Sequence, residues 1–182
     1  MARIGHPPPP PDEITFVFDI ETDGFKPSLI HCIAALCVET QEMFLFANHP
    51  DYIPIETGIQ LLLEADWLVA HNGLAYDIPV MEALYPAYKF DRKKVIDTLP
   101  LVRKYFKRIN ESDMRSPEVP YFLKGKHKLE AWGHRLGILK GDFGKNANWK
   151  IFSHRMVDYC ALDVKVTAEL HQLLLVAAVE KQ

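Results

Sequence analysis

Ile14-Thr15-Phe16-Val17-Phe18-Asp19-Ile20-Glu21-Thr22 is the stretch that decides how this chain is read. Residues 14–20 are rich in β-branched and aromatic side chains and read as a buried strand. Asp19 stands at the end of that apolar run, and Glu21 follows two positions on. Carboxylates are depleted in strands and are seldom buried without a partner. Positions two apart on a strand project from one face, so the two acids stand side by side. Carboxylates held together repel unless a proton or a cation lies between them. Taken alone, a strand end meeting solvent, with both acids hydrated, explains the pair equally well.

Working outward, residues 30–38 and 43–47 read as two further strands, separated by turn chemistry at Asp23-Gly24 and a polar break at 39–42. Sequential strands with short breaks predict an antiparallel meander. Residues 57–65 carry Ile59, Leu62 and Leu63 at helical spacing, and 67–70 form a short apolar strand. Asn72 reads as a cap opening a helix over 74–84, with a fifth strand at 94–96 and a helix over 98–106. Residues 110–126 show no period and include Pro117, Pro120 and Gly125, so they read as irregular. A helix over 128–136 is closed by Gly137, and 141–150 read as loop. Ser153 caps a last helix reaching to about residue 180, with Met156, Cys160, Val164, Thr167 and Leu174 as its core-facing stripe. Strands first, then strands alternating with helices, predict an α/β domain with a mixed sheet. The five prolines of 7–11 mark residues 1–12 as an extended leader, with one domain over 13–182.

Two more acidic signals join the first. In His71-Asn72-Gly73-Leu74-Ala75-Tyr76-Asp77 a short strand gives way to a helix whose first turns hold Asp77. That carboxylate also has a bland explanation as a complement to the helix dipole. In Tyr159-Cys160-Ala161-Leu162-Asp163, Tyr159 and Asp163 are four apart and share a helix face. Together the three segments offer four carboxylates around one sheet. Such an oxygen-rich site suits hard cations, magnesium or manganese. Two such ions about 4 Å apart activate a water and steady the leaving oxygen of a phosphodiester. The sequence shows no Cys/His spacing that suits zinc and no Gly-rich phosphate loop.

Composition narrows the classes. With 48% hydrophobic and 25% charged residues the chain is ordinary globular material. A net charge of −3 gives no overall basic footprint for nucleic acid, so any basic surface is local. Three cysteines without a signal peptide argue for reduced thiols. Cys32 and Cys37, five apart on a strand, point to opposite faces. No apolar run is long enough to suggest a membrane span, so the expectation is a soluble, cytoplasmic protein.

The three acidic motifs, in this order and spacing, resemble those of the DnaQ-like 3′→5′ exonucleases, in the subclass with a tyrosine in the third motif. Asn72-Gly73, Asp97-Thr98-Leu99 and the run from His127 to Gly137, with Leu129-Glu130-Ala131-Trp132-Gly133 at its centre, resemble the proofreading domain of family A phage replicative DNA polymerases. The histidine subclass would carry histidine five residues before the last acid, where Asp158 stands. The resemblance implies an RNase H-like fold with a five-stranded mixed sheet flanked by helices. It implies two divalent ions, Mg2+ or Mn2+, with Asp19, Glu21 and Asp163 on one and Asp19 with Asp77 on the other. Tyr159 would orient the attacking water, and nucleoside 5′-monophosphates would leave from DNA 3′ ends, single-stranded or frayed. Ile20, Thr22, Asn72, Tyr76 and Phe122 are the expected contacts to the terminal nucleotides, with Lys124, Lys126 and Lys128 on phosphates. The length fits a stand-alone enzyme or the proofreading part of a DNA polymerase, encoded by a phage and acting in the bacterial host cell. An exoribonuclease of the same fold, or a silent DNA- or polymerase-binding module, are the alternatives.

Overall fold

A computed structural model describes residues 13–139 and 141–180. The proline-rich leader expected over 1–12 lies outside the described residues. Five strands form one sheet: β1 (Thr15–Thr22), β2 (Ile30–Cys37), β3 (Met43–Ala47), β4 (Trp67–Ala70) and β5 (Val95–Asp97). Their spatial order is β3-β2-β1-β4-β5. The first three are antiparallel, as the short breaks predict, whereas β4 and β5 run parallel to β1. The helices are α1 (Ile55–Glu64), α2 (Asp77–Leu84), α3 (Thr98–Tyr105), α4 (Ile109–Asp113), α5 (Leu129–Leu136), α6 (Phe143–Asn146) and α7 (His154–Val179).

Alternation along β1 sorts side chains to the two faces of the sheet. Phe16, Phe18 and Ile20 join Ile55, Ile59, Ile78 and Met81 of α1 and α2 in one core. Val17 on the other face joins Cys32, Ala34 and Val69, and meets Met156, Cys160 and Val164 of α7. Cys32 and Cys37 fall into different cores, as their odd spacing requires, and both are free and buried. The outer side of α7 is covered in turn: Val166, Leu170 and Leu174 pack with Val102 of α3 and with Leu129 and Trp132 of α5. All five residues of the expected α7 stripe are buried. Among the described residues, no helix is long and apolar enough to cross a membrane.

Five expectations change. β1 runs on to Thr22, so Asp19 and Glu21 lie within the strand, with a bulge at Glu21/Thr22. The helix expected over 74–84 begins only at Asp77. Asn72 is no cap, because it sits with φ 71° in a turn that precedes the helix, and Tyr76 takes the cap position. Residues 141–150 include the short helix α6. Residues 110–126 contain the end of α4 and a 3-10 turn at Tyr121–Leu123. Side-chain anchoring explains that order, which periodicity cannot report. The Asp113 carboxylate accepts from Arg135 at 2.7 and 3.0 Å and from the Gly125 amide at 2.8 Å. Arg135 also donates to the Lys126 carbonyl at 2.7 Å.

The two side chains of this ion pair are 3% and 9% exposed, so neither charge has water to fall back on. Asp113→Ala should therefore cost about 3 kcal/mol or more, by stranding the Arg135 guanidinium in the interior. Urea unfolding checks this, and a loss below about 0.5 kcal/mol would mean that the pair does not hold the segment.

Candidate active site

The site begins where β1 outruns its parallel neighbour. β1 pairs with β2 along its whole length, but its register with β4 ends at Val17↔Val69. Past that point the β4 side of β1 lacks a strand, and its amides need other acceptors. Asp77 supplies one: its Oδ1 accepts from the Ile20 amide at 3.2 Å. The acid is thereby fixed beside Asp19 and Glu21, which share the opposite face from Ile20.

A compact turn delivers Asp77 to that place. After Ala70 the chain reverses through Asn72 and Gly73. A Cβ at Gly73 would lie 2.4 Å from that of Ala70, so only glycine fits. Asp97, at the end of β5, organises the turn. Its Oδ1 accepts from Asn72 N at 2.9 Å and Leu99 N at 3.0 Å, and its Oδ2 from Leu74 N at 3.2 Å. Thr98 donates to the Ala70 carbonyl at 3.2 Å, and its hydroxyl lies 2.8 Å from His71 Nδ1. Asp97 thus holds backbone, which explains why the Asp97-Thr98-Leu99 run carries a signal without belonging to the acidic set.

The third segment arrives on α7. Cys160 packs against β1 and donates to the Asp19 carbonyl at 3.3 Å, with the Asp19 Oδ2 at 3.7 Å. Ligand atoms of Asp19, Glu21 and Cys160 lie within 4.8 Å of one another. Burial pushes the Cys160 thiol well above its ordinary range, so of the three groups the two carboxylates are the ones that could hold a hard cation. Tyr159 feels the charges of Asp163, Glu21, Asp19 and Glu130, and these, after burial, raise its pKa well above the usual phenol. It therefore remains a hydroxyl at physiological pH. Asp77, buried beside Asp97 and Asp163, is pushed up to about 7 chiefly by burial. The smaller upward push from Asp97 and Asp163 is that of neighbouring negative charge, which a cation on the carboxylate oxygens would relieve.

Beside the acids opens a cleft of about 540 Å³, lined by Ile20, Glu21, Thr22, Asn72 and Tyr76 together with Gly24, Phe25, Gly144 and Trp149. The Tyr76 hydroxyl lies 2.7 Å from that of Thr22, and both reach the Gly24 carbonyl at 3.0 Å. Four expected nucleotide contacts, Ile20, Thr22, Asn72 and Tyr76, thus line one wall. Phe25, fully exposed, and Trp149 were not expected. Phe25 follows a turn signal, and Trp149 lies in a segment read as loop, so neither had a period to betray it. Gly144 was also missed: a Cβ there would stand 2.9 Å from the Tyr159 hydroxyl.

Phe122, Lys124, Lys126 and Lys128 do not line this cleft. Phe122 is exposed and faces Lys145, the neighbour of Gly144, at 5.9 Å. Lys124 donates to the Ser116 carbonyl at 3.3 Å, and Lys128 pairs with Glu130 at 2.8 Å. Lys126 is exposed.

Residues 16–175 match the RNase_H superfamily. The chain is 32% identical over 190 residues to the DNA-directed DNA polymerase of Escherichia phage T7, covering 87% of this chain and 26% of that protein. It is 34% identical over 157 residues to the corresponding polymerase of Enterobacteria phage T3, covering 70% and 22%. The chain thus spans about a quarter of the length of these relatives. In fold it is similar to the exonuclease domain of Aedes aegypti Nibbler, with a TM-score of 0.64 at 12% identity over 94% of this chain and 82% of that one. Escherichia coli RNase D, an exoribonuclease involved in structured RNA processing, follows at 0.57 and 15% identity, over 93% and 41%. The kinship with DnaQ-like exonucleases expected from the motifs therefore holds, and the fold is that of nucleases.

The elevated Asp77 has a consequence for stability. Its ordinary value is 3.8, and in the fold it is about 7, so the folded chain binds this proton more tightly than the unfolded one. That contribution is complete below about pH 4 and is lost as pH rises through about 7. Metal-free protein should lose stability across this window, and Asp77→Asn should flatten the slope. Urea midpoints at several pH values measure it, and equal slopes in both proteins would remove Asp77 as the cause.

Proposed function

This chain belongs to the RNase H superfamily, and from that premise we propose that it is a metal-dependent 3′→5′ exodeoxyribonuclease. It would release nucleoside 5′-monophosphates from single-stranded or frayed DNA 3′ ends. The observation that carries this reading is that Asp19 and Glu21 bring ligand atoms within 4.8 Å of Cys160 on α7, the helix of Tyr159 and Asp163, with Asp77 held against β1 at the Ile20 amide. Four acids and a protonated phenol meet at one end of the sheet, next to a cleft within the size range of small-ligand pockets, about 300–1,000 Å³.

Asp19, Glu21 and Asp163 would hold one divalent ion, Mg2+ or Mn2+, and Asp19 with Asp77 a second. When bound, such ions lower the pKa of a water and neutralise charge on the phosphodiester. The chain's own residues do the rest. Tyr159 keeps its proton and orients the water by a hydrogen bond. Ile20, Thr22, Asn72 and Tyr76 seat the terminal nucleotide. Phe25 and Trp149 offer aromatic faces on which bases stack, which favours an unpaired end. Phe122, Lys124, Lys126 and Lys128, outside the cleft, would meet the strand further from its end.

The preference for DNA rests on the two phage DNA polymerases at 32% and 34% identity, against 15% for RNase D. Those relatives also support work beside a DNA polymerase, as a proofreading unit in the cytoplasm of a bacterial host. A 5′-labelled DNA, a matched RNA and a circular DNA, each with magnesium, manganese or EDTA, test the reading. A metal-dependent ladder from the 3′ end of linear DNA is expected, with the circle intact. Binding without cleavage in any metal would leave a silent binding module instead. Asp19→Ala should lower the rate by at least about 10³-fold, since it removes the ligand shared by both ions. Tyr159→Phe should slow cleavage by about 10²-fold while metal affinity stays within about twofold. An Asp19→Ala protein that cleaves at the parental rate would refute the assignment.

A further inference from the structure

Away from the carboxylate site, His49, Asp51 and His154 bring three ligand atoms within 4.8 Å of one another. His49 Nδ1 lies 3.5 Å and His154 Nε2 3.6 Å from the same oxygen, Asp51 Oδ2. Those separations discriminate between two explanations. A charge-assisted hydrogen bond from imidazolium to carboxylate closes to about 2.7–2.9 Å. Ligands on a tetrahedral ion with bonds of about 2.0–2.2 Å stand about 3.3–3.6 Å apart. Both separations fall in the second range, and the remaining pair of ligand atoms lies within 4.8 Å.

The surrounding contacts prepare the nitrogens for that role. The Asp51 amide donates to His49 Nδ1 at 3.3 Å, so this nitrogen carries no proton, and an ion would take its lone pair in place of that long contact. Tyr52 Oη lies 3.0 Å from His154 Nδ1; with the proton on Nδ1, the Nε2 lone pair faces Asp51. The His49 ring stacks on Phe152 with centroids 5.0 Å apart and planes at 19°. The supporting backbone is fixed too. Tyr52 N donates to His49 O at 3.0 Å, Ala47 N to Ile53 O at 2.9 Å, and Ser153 caps α7 just before His154.

From this geometry we propose a second metal site, formed by His49, Asp51 and His154, that takes a borderline divalent ion such as zinc rather than magnesium. Two imidazoles and one carboxylate match zinc, and the exposed Asp51 and His154 leave a fourth position to water. The ion would clip the connection after β3 to the first turn of α7, the helix that carries Tyr159 and Asp163. Linear spacing hides the site, since His154 lies far along the chain from His49 and Asp51.

The test is zinc titration by calorimetry in excess magnesium, with the full chain and with His154→Ala, His49→Ala, Asp51→Ala and Asp19→Ala, each checked for folding by circular dichroism. One tight zinc ion is expected in the parent and in Asp19→Ala, weakened at least about 100-fold in each of the other three, and weakened about 10-fold by Tyr52→Phe, which disturbs only the outer contact. Copper loaded in place of zinc should show two nitrogen ligands by electron paramagnetic resonance. Equal zinc affinity in the parent and the histidine variants overturns the proposal, as does zinc binding lost only in Asp19→Ala.

Discussion

An unmet hydrogen bond organises this molecule. Beyond Val17 the central strand has no β4 partner, yet its amides remain buried donors. Asp77 sends a carboxyl oxygen there and accepts from the Ile20 amide. The same mismatch in strand length opens the cleft and gathers negative charge at the carboxyl ends of the parallel strands. In open α/β sheets that end is where ligands bind. Asp97 extends the logic one strand further, since it ends β5 and ties three amides of the adjoining segments.

Stability and chemistry then draw on one helix in opposite ways. Met156, Cys160 and Val164 bury α7 against the sheet, and Val166 and Leu170 bury its other flank under α3 and α5. Asp163 must accept burial within this apolar setting. Covering α7 on both flanks fixes it firmly enough to present charged and hydroxyl groups at set positions, as a site built on regular elements requires. The carboxylates themselves oppose the fold by mutual repulsion, and cations relieve it.

Much of this was legible from residue order. Alternation along residues 14–22 located β1 and set Asp19 and Glu21 on one face. Ser153 and the stripe from Met156 to Leu174 located α7, and the acidic motifs named segments that the fold brings to one end of the sheet. Three things were not legible, each for a physical reason. The start of α2 moved because Asn72 adopts a left-handed turn stabilised by Asp97, a partner 25 positions away. The order in 110–126 comes from Arg135 and Asp113, which periodicity does not see. Phe25, Gly144 and Trp149 come to the cleft through loops and a single helical turn, where no pattern ties a side chain to a face.

Trp149 lines the cleft, whereas Trp132 is sealed under α7 and Trp67 lies at the opposite end of β1, opposite Thr15. Only one of the three indoles therefore stands where an occupant would quench or shift its emission. The chain carries its own optical gauge of occupancy, readable without label and separable from unfolding, which would instead be seen by Trp132.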